Sequence, residues 1–360
     1  MDRVAPTLKH GSLNGHGPDD GGRPDQGQSP LRIVDLDEAE REASAVAVDR
    51  GFLEPVASAG IEPATSDFFD AAEALEGILP RSVRGGLVAL RRGGVPAVVV
   101  RGLPSDSDPG PTPTTAAGDP PLTPRRGHAW LALAVRRLGD EFAYAMEKNG
   151  AIVHNVYPTR EGAETQSNAS FKVDLSLHTE NAFHPIRPAF VVPYCVRTPP
   201  EPAATRLVLI DDVLADLTDF EIAVLRQPRF TLRVVDSHRA EGEDDVELPV
   251  VPLTGSPRRP AIRWHESLRA VDDVAARVAR SFGAAATRAT RHVQLREGDL
   301  LAFANETCLH GRDSFDARLD GTDRWVLRGY ALRDLTPTLP FVSPARPQVT
   351  RVDLSAPGSG

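Results

Sequence analysis

Cysteine is nearly absent from this sequence of 360 residues, which contains only Cys195 and Cys308 and no Cys-x-x-Cys pair. This scarcity excludes a disulfide-rich scaffold and a cysteine-based zinc or iron–sulfur module. Long apolar stretches are also missing: no window approaches the about 18 consecutive apolar residues of a membrane span, and the N-terminus has no basic segment followed by an apolar one. We therefore expect a cytoplasmic protein that neither crosses a membrane nor is secreted.

Positive charge is in the minority, because 41 Lys and Arg residues stand against 50 Asp and Glu residues and give a formal net charge of −9. With no basic run in the sequence, we expect no nucleic-acid partner. Hydrophobic residues make up 41% and charged residues 25% of the chain. These fractions are close to those of average globular proteins, so the chain can form a sizeable core without disulfides.

Three segments have few apolar residues and many Pro, Gly, Ser and Asp residues. Such segments bury too little surface to offset the entropy of ordering the chain. They predict a disordered tail over 1–30, a mobile surface loop over about 104–127 and a flexible C-terminal tail over 344–360. We expect the remainder, 31–343, to form a single domain.

Two kinds of apolar pattern follow one another within this domain. From about 37 to 148, helical spacing alternates with a short buried strand. From about 151 to 334, short strands are separated by Pro, Gly and Asp turns. This evenly spaced pattern predicts a mainly β protein with a double-stranded β-helix (jelly-roll) core over about 150–335 and a helical, mixed N-terminal layer. The predicted helices are 37–48, 67–78, 128–146, 218–226 and 271–282; the predicted strands are 95–100, 151–157, 189–196, 206–210, 230–235, 261–264, 300–304 and 325–332.

A His-x-Glu pair, His178 and Glu180, is the first candidate metal motif. On extended backbone, side chains two residues apart point to the same face, so both can reach one ion. The pair alone is weak evidence, but a third candidate, His310, follows an apolar strand near the C-terminus. Two imidazoles and one carboxylate bind one face of an octahedral iron(II) ion and leave three positions open. A chelating 2-oxo acid fills two of these positions, and dioxygen takes the third.

The distal carboxylate of a 2-oxo acid needs an anchor. Arginine suits this role, because its rigid guanidinium grips a carboxylate with two parallel hydrogen bonds. Two arginines, Arg324 and Arg328, follow His310 on a predicted core strand.

Two blocks, HTENAFHPIRPAFV from His178 and HGRDSFDARLDGTDRWVLRGY from His310, carry a resemblance to a known family. In order and spacing they resemble the clavaminate synthase-like branch of the iron(II)/2-oxoglutarate oxygenases. That branch includes arginine and asparagine β-hydroxylases of peptide-antibiotic pathways, and the similarity covers about residues 90–335. It implies hydroxylation of an amino acid or derivative that uses iron(II), 2-oxoglutarate and O₂.

The resemblance also implies roles for individual residues. It makes His178, Glu180 and His310 the iron ligands. Arg324, fourteen residues after His310, would bind the distal carboxylate of 2-oxoglutarate, and the hydroxyl of Thr205 would assist.

Three further residues match positions that contact the substrate in this branch. Arg328 resembles the arginine that holds the α-carboxylate, and Glu147 and Asn168 resemble residues that contact the ammonium group and backbone. A carboxylate at Glu180 favours hydroxylation, since related halogenases have a small residue there that leaves room for chloride.

One segment departs from the pattern of the arginine hydroxylases. Where those enzymes have an acidic pair that holds the guanidinium, this chain has the segment 263–267, Arg-Trp-His-Glu-Ser, without an aspartate. This favours a smaller neutral or acidic amino acid, either free or attached to a larger carrier. We expect His184 to pack at the pocket mouth, whereas His265 either lines the substrate pocket or caps a strand.

Three other functions are alternatives, and two of them need a motif that the sequence lacks. A zinc nucleoside deaminase shares His-x-Glu but needs a Pro-Cys-x-x-Cys motif, for which Pro193-Tyr-Cys195 offers one cysteine. A serine hydrolase needs Gly-x-Ser-x-Gly, which is absent. The alternative that stays open is a non-catalytic jelly-roll module that binds 2-oxoglutarate or a metal.

Overall fold

The computed structural model describes residues 31–63, 65–115, 125–199, 203–235, 238 and 245–354. The predicted tail over 1–30, the part of the predicted loop over 116–124 and the last residues, 355–360, lie outside this description. The α-helices in the described ranges are α1 (Glu38–Val48), α2 (Glu54–Ser58), α3 (Ser66–Ala74), α4 (Arg81–Arg91), α5 (Arg126–Leu138), α6 (Ile210–Ala215), α7 (Asp219–Leu225) and α8 (Asp273–Arg288).

Eighteen strands are described before, between and after these helices. They are β1 (Arg32–Asp35), β2 (Ala97–Arg101), β3 (Asp140–Tyr144), β4 (Val153–Val156), β5 (Leu175–His178), β6 (Phe190–Arg197), β7 (Thr205–Leu209), β8 (Phe230–Arg233), β9 (Glu247–Val250), β10 (Leu253–Ser256), β11 (Arg259–Ile262), β12 (Leu268–Ala270), β13 (Arg291–Val293), β14 (Leu300–Ala304), β15 (Cys308–Arg312), β16 (Trp325–Leu332), β17 (Val342–Ser343) and β18 (Arg346–Thr350). The result is a mixed α/β protein with a large sheet content.

Two sheets hold the residues of interest. The larger one has the strand order β1-β2-β14-β6-β16-β3-β18-β17, with β4 paired to β16. The smaller one has four strands in the order β13-β7-β15-β5. A three-stranded sheet, β12-β8-β9, and the hairpin β10-β11 lie beside them.

Alternating side chains place the two sheets face to face. On β14 of the larger sheet, Leu301 and Phe303 belong to a buried cluster that also contains Leu207 and Leu209 of β7 in the smaller sheet. The intervening residues of β14 point the other way and pack with α3, α4 and α5. Val208 of β7 likewise points away from the larger sheet and packs with α7 and α8. The period of two along each strand thus separates one core between the sheets from a helical layer on each outer face.

Most of the helices and strands predicted from the sequence are present in the structure, but one predicted helix is too long. The helix predicted over 128–146 ends at Leu138, and β3 follows. A side chain at Gly139 would collide with the backbone carbonyl of Leu332 on β16. This close approach brings the chain against the larger sheet, where β3 pairs antiparallel with β16. The apolar pattern of 140–144 is therefore that of a buried strand, not of a continuing helix.

Two boundaries at loops and tails are also wrong. The predicted loop over 104–127 is two residues too long, because α5 already begins at Arg126. The flexible tail predicted over 344–360 contains β18, whose Val349 and Thr350 pair in parallel with β3 and are buried. Neighbouring backbone, and not local composition, gives this segment its structure. None of the described helices has the length and hydropathy needed to cross a bilayer.

Candidate active site

Strand register brings the candidate metal ligands together. β5 and β15 are antiparallel neighbours, and His178 at the end of β5 lies directly opposite His310 on β15. Glu180 follows His178 by two residues, and its Oε2 atom lies 3.2 Å from Nε2 of His310. The potential ligand atoms of the three side chains all lie within 4.8 Å of one another. The structure therefore brings together three residues that are up to 132 positions apart (310 − 178 = 132).

Local hydrogen bonds orient His178 for ligation. Its Nδ1 atom lies 2.7 Å from the backbone carbonyl oxygen of Ser176, which only accepts, so Nδ1 carries the ring proton. The lone pair is then on Nε2, and such outer hydrogen bonds are typical of metal-bound histidines. Burial lowers the pKa of His178 to about 3, with the neighbouring His310 as a second cause. A neutral imidazole with a free lone pair is the form that binds a metal.

Asn305 holds the backbone of Glu180. Its Oδ1 accepts from the Glu180 N–H at 2.7 Å, and its Nδ2 donates to the carbonyl oxygens of Glu180 and Pro188, both at 3.1 Å. Asn305 is completely buried, in the turn between β14 and β15. The strand that carries His310 thus begins beside an amide that fixes the position of Glu180.

The Glu180 side chain is ionised although it is buried. Burial by itself raises the pKa of this carboxyl, but the guanidinium of Arg328 and the contact with His310 more than compensate and hold it well below its ordinary value. Nη1 of Arg328 donates to Glu180 Oε2 at 3.2 Å. Two imidazoles and an ionised carboxylate form the donor set that suits iron(II) and leaves open positions, so these residues fit the metal that the sequence predicts.

Arg324 lies next to this centre without a compensating anion. It precedes β16 and lines a small cavity of about 60 Å³ together with Thr205 and His310. Among the described residues, no carboxylate lies within ion-pair distance of its guanidinium. Burial lowers the pKa of Arg324, as expected for a cation that has lost water and gained no partner. A cation in this position fits a carboxylate ligand.

A second, larger cavity of about 760 Å³ lies on the other side of the candidate ligands and is lined by His178, Glu180 and Arg328. Arg328 lies on β16, where it pairs in register with His154 of β4. The two cavities share four lining residues, which are Val156, Asn168, Leu175 and Arg328. A ligand in the small cavity and one in the large cavity would therefore be neighbours at the same centre.

Arg328 is the hub of a buried polar network. Its Nη2 donates to Glu147 Oε1 at 2.8 Å and to Nδ1 of His154 at 2.9 Å. Glu147 also accepts from the hydroxyl of Tyr330 at 3.1 Å. With its amide oriented by the hydrogen-bond network, Asn168 accepts from Arg328 Nη1 at 2.9 Å. All three residues predicted to contact substrate thus meet in this network.

Comparison with known proteins agrees with this geometry. The family "Taurine catabolism dioxygenase TauD, TfdA family" matches residues 123–330. The chain belongs to this family. L-asparagine oxygenase of Streptomyces coelicolor is 34% identical to this oxygenase over 281 residues, which are 76% of this chain and 82% of the relative. Enduracididine beta-hydroxylase of Streptomyces hygroscopicus is 32% identical over 287 residues, or 71% of this chain and 83% of the relative.

Solved structures show the same likeness. The structure of asparagine oxygenase in complex with Fe(II), 2S,3S-3-hydroxyasparagine and succinate has a TM-score of 0.80 and 31% identity, and covers 88% of this oxygenase and 98% of that chain. The non-heme iron oxygenase OrfP in complex with Fe, succinate and (3S)-hydroxy-L-Arg has a TM-score of 0.79 and 26% identity, with 89% and 100% covered. The resemblance predicted from the sequence is confirmed, and the mixed α/β fold is one that these iron oxygenases share.

The eight residues that the sequence predicts as metal, 2-oxoglutarate or substrate ligands all line one of the two cavities or both. Sequence reasoning missed Asn305, which hydrogen-bonds the backbone of Glu180, and His154, which hydrogen-bonds the side chain of Arg328. Asn305 stands in a block that the sequence analysis used for its histidine, and an amide after an apolar strand was its only signal. His154, inside a predicted strand, gave no signal, because its role depends on pairing with β16.

Proposed function

We propose that the oxygenase hydroxylates an unactivated carbon of an L-amino acid or amino-acid derivative, using iron(II), 2-oxoglutarate and O₂. The convergence of His178, Glu180 and His310 within 4.8 Å carries the proposal. In it, these three side chains are the iron ligands. A carboxylate at Glu180 occupies the position that a halide would need, so the product is an alcohol.

Arg324 and Thr205 would hold 2-oxoglutarate. The distal carboxylate of this co-substrate supplies the anion that Arg324 lacks, and the Thr205 hydroxyl on β7 faces the same small cavity. When bound, iron and 2-oxoglutarate supply the oxidising chemistry, which consumes O₂ and releases succinate and CO₂. The protein positions the reacting carbon and keeps water away from it.

Arg328, Glu147 and Asn168 would hold the α-amino and α-carboxylate groups of the substrate. A zwitterionic amino acid carries one charge of each sign on two groups that are bonded to the same α-carbon. The cavity presents a guanidinium and a carboxylate of opposite sign 2.8 Å apart, which is the complementary arrangement. The asparagine, arginine and lysine named for the relatives share this α-group and differ in the side chain.

We also propose a more specific description of the fold. The two facing sheets support a double-stranded β-helix over about 150–335 inside a single domain that begins at about 31 and extends past 343 to include β18. A cytoplasmic location, a mobile loop between about 104 and the start of α5, and a substrate attached to a carrier stay predictions from the sequence.

The test is a panel of the common L-amino acids, each incubated with protein, iron(II), 2-oxoglutarate and ascorbate. Mass spectrometry should find one amino acid that gains one oxygen atom, with succinate formed in equal amount. The variant Glu180→Ala should form no product, while His292→Ala, which changes an exposed histidine, serves as the matched control.

Two outcomes would contradict the proposal. Tight binding of 2-oxoglutarate without oxygenated product or succinate would favour a non-catalytic binding module. Full turnover in Glu180→Ala would remove this carboxylate from the ligand set.

A further inference from the structure

One wall of the large cavity is fixed to the candidate metal motif. His265, Glu266 and Ser267 form this wall. In the residue before it, Trp264, the carbonyl oxygen accepts from Thr179 N–H at 2.8 Å and the N–H donates to Thr179 Oγ1 at 3.2 Å. The hydroxyl of Ser176 donates to Glu266 Oε2 at 2.7 Å. Thr179 stands between two candidate ligands, so these bonds set the distance from the wall to the metal centre.

His265 presents a hydrogen-bond donor at this wall. The Ser267 backbone N–H donates to Nδ1 of His265 at 3.0 Å. A ring nitrogen that accepts carries no proton, so the proton of the neutral imidazole is on Nε2. Nε2 has no hydrogen-bond partner among the residues that the structure describes. The ring lines the cavity, and its centroid is 6.0 Å from that of His178.

Charges of both signs act on His265: burial lowers the pKa of its ring, the carboxylates of Glu266 and Glu180 oppose that shift, and Arg233 adds to it. Two arginines, Arg233 and Arg269, also line this cavity. Arg233 also forms an ion pair with Asp245 at 3.1 Å. The carboxylate at this wall, Glu266, already accepts a hydrogen bond from a serine hydroxyl. A positively charged group would find carboxylates as well as guanidinium groups in this cavity, but it could not accept the hydrogen bond that the His265 N–H offers.

We propose that His265 selects substrates whose side chain ends in a carbonyl oxygen, as a carboxamide or a carboxylate, and disfavours those that end in a cation. The inference rests on the proposed function for the placement of the α-groups at Arg328 and Glu147. It adds the class of side chain, which neither the metal ligands nor the α-group residues determine. An acceptor oxygen satisfies the Nε2–H donor, whereas an ammonium or guanidinium group leaves it unpaired.

Binding is measured by calorimetry, with the protein loaded with 2-oxoglutarate and a redox-inert divalent metal. The titrants are L-Asn, L-Gln, L-Asp and L-Glu on one side and L-Lys, L-ornithine and L-Arg on the other. At least one carbonyl-bearing amino acid should bind tenfold or more tightly than every cationic one, and the amide and acid arms show which carbonyl group is preferred. Tighter binding of a cationic amino acid, or no binding of the four carbonyl-bearing ones, would overturn the proposal.

Three variants of His265 separate the donor from the shape of the ring. His265→Phe keeps a ring but removes the donor, and should weaken binding of the preferred amino acid about tenfold. His265→Asn retains an N–H donor and should lose less. His265→Asp should shift the preference towards cationic amino acids. Binding of 2-oxoglutarate, unchanged within twofold, shows that each variant is folded; wild-type affinity in His265→Phe would refute the role.

The inference and the proposed function fail in different ways. Turnover without the expected side-chain preference would leave an amino-acid hydroxylase and overturn the role of His265. Selective binding that depends on His265, with no oxygenated product from any amino acid, would sustain the inference and refute the hydroxylase.

Discussion

Replacing Arg324 with methionine should weaken 2-oxoglutarate binding while leaving the ligand-free protein at least as stable as the wild type. These opposite effects follow from the environment of the guanidinium. Arg324 lines the small cavity with no carboxylate in ion-pair distance among the described residues, and burial lowers its pKa. Burial, followed by repulsion from Arg324, also lowers the pKa of Arg312 to about 9. Without its ligand, the Arg324 cation is therefore a cost to the fold.

The expected magnitudes follow from the loss of one charged partner. Hydrogen bonds to a charged group contribute about 1.5–3 kcal/mol, so the dissociation constant for 2-oxoglutarate should rise about 10- to 150-fold. Removing an uncompensated, partly buried cation while keeping an apolar chain should raise the free energy of unfolding by roughly 1 kcal/mol. A ligand at about 100 times its dissociation constant stabilises a protein by about 2.7 kcal/mol, so at that concentration the variant should lose roughly half or more of the stabilisation, and of the thermal shift, that 2-oxoglutarate gives the wild type.

Calorimetry measures the affinity, and urea unfolding without ligand measures the stability. Arg288→Met is the matched control, because Arg288 is 61% exposed and pairs with Asp216 on the surface. This variant should change neither the 2-oxoglutarate affinity nor the free energy of unfolding by more than the about 1 kcal/mol that a surface ion pair contributes. If Arg324→Met bound 2-oxoglutarate within twofold of the wild type, or lost 2 kcal/mol or more of stability (on the order of a broken buried pair), the reasoning would be wrong.

Three further changes have defined outcomes. Asn305→Ala removes three buried hydrogen bonds and should lower the free energy of unfolding by about 3 kcal/mol, measured with urea; a change below about 1 kcal/mol would argue against this anchoring role. Glu147→Gln should weaken binding of the amino acid about tenfold and leave 2-oxoglutarate affinity unchanged in calorimetry, whereas an equal loss of both would contradict a substrate role. Burial lowers the pKa values of His128 and His154 to about 4, and burial with the charge of a neighbouring histidine lowers that of His184 to about 3. These side chains stay neutral in the folded protein but take up protons in the unfolded chain below about pH 6.5, so lowering the pH from about 7.5 to 5.5 should cost roughly 4 kcal/mol of stability; equal urea midpoints would refute this.

Local sequence patterns predicted the elements that carry their own signals. The strands β14 and β16 follow directly from short apolar runs between turn residues, and the prediction of the candidate ligands needed only the spacing of His178 and Glu180 and a histidine after a strand. Elements that depend on distant backbone were missed. β18 is a strand because β3 accepts it as a neighbour, and α4 contains Gly85 and Gly86, which weaken a helical pattern.

Within the site, too, features with a local sequence signal were predicted, and features that depend on distant parts of the chain were not. Arg328 and Glu147 are 181 residues apart, and nothing local predicts that they form a buried ion pair. His265 had two interpretations from the sequence, lining a pocket or capping a strand. Its position at the cavity is decided by the hydrogen bonds between Thr179 and Trp264, which join segments 85 residues apart. The spacing of residues in the sequence identifies candidate functional side chains, whereas strand pairing decides which of these side chains come into contact.

The central claim is that His178, Glu180 and His310 hold one iron(II) ion. A crystal structure grown without oxygen in the presence of iron(II) and 2-oxoglutarate, with anomalous data at the iron edge, tests it most directly. One anomalous peak should lie about 2 Å from a nitrogen of each histidine and from an oxygen of Glu180. A fully loaded crystal whose iron peak lies elsewhere, or contacts fewer than these three side chains, would contradict the account.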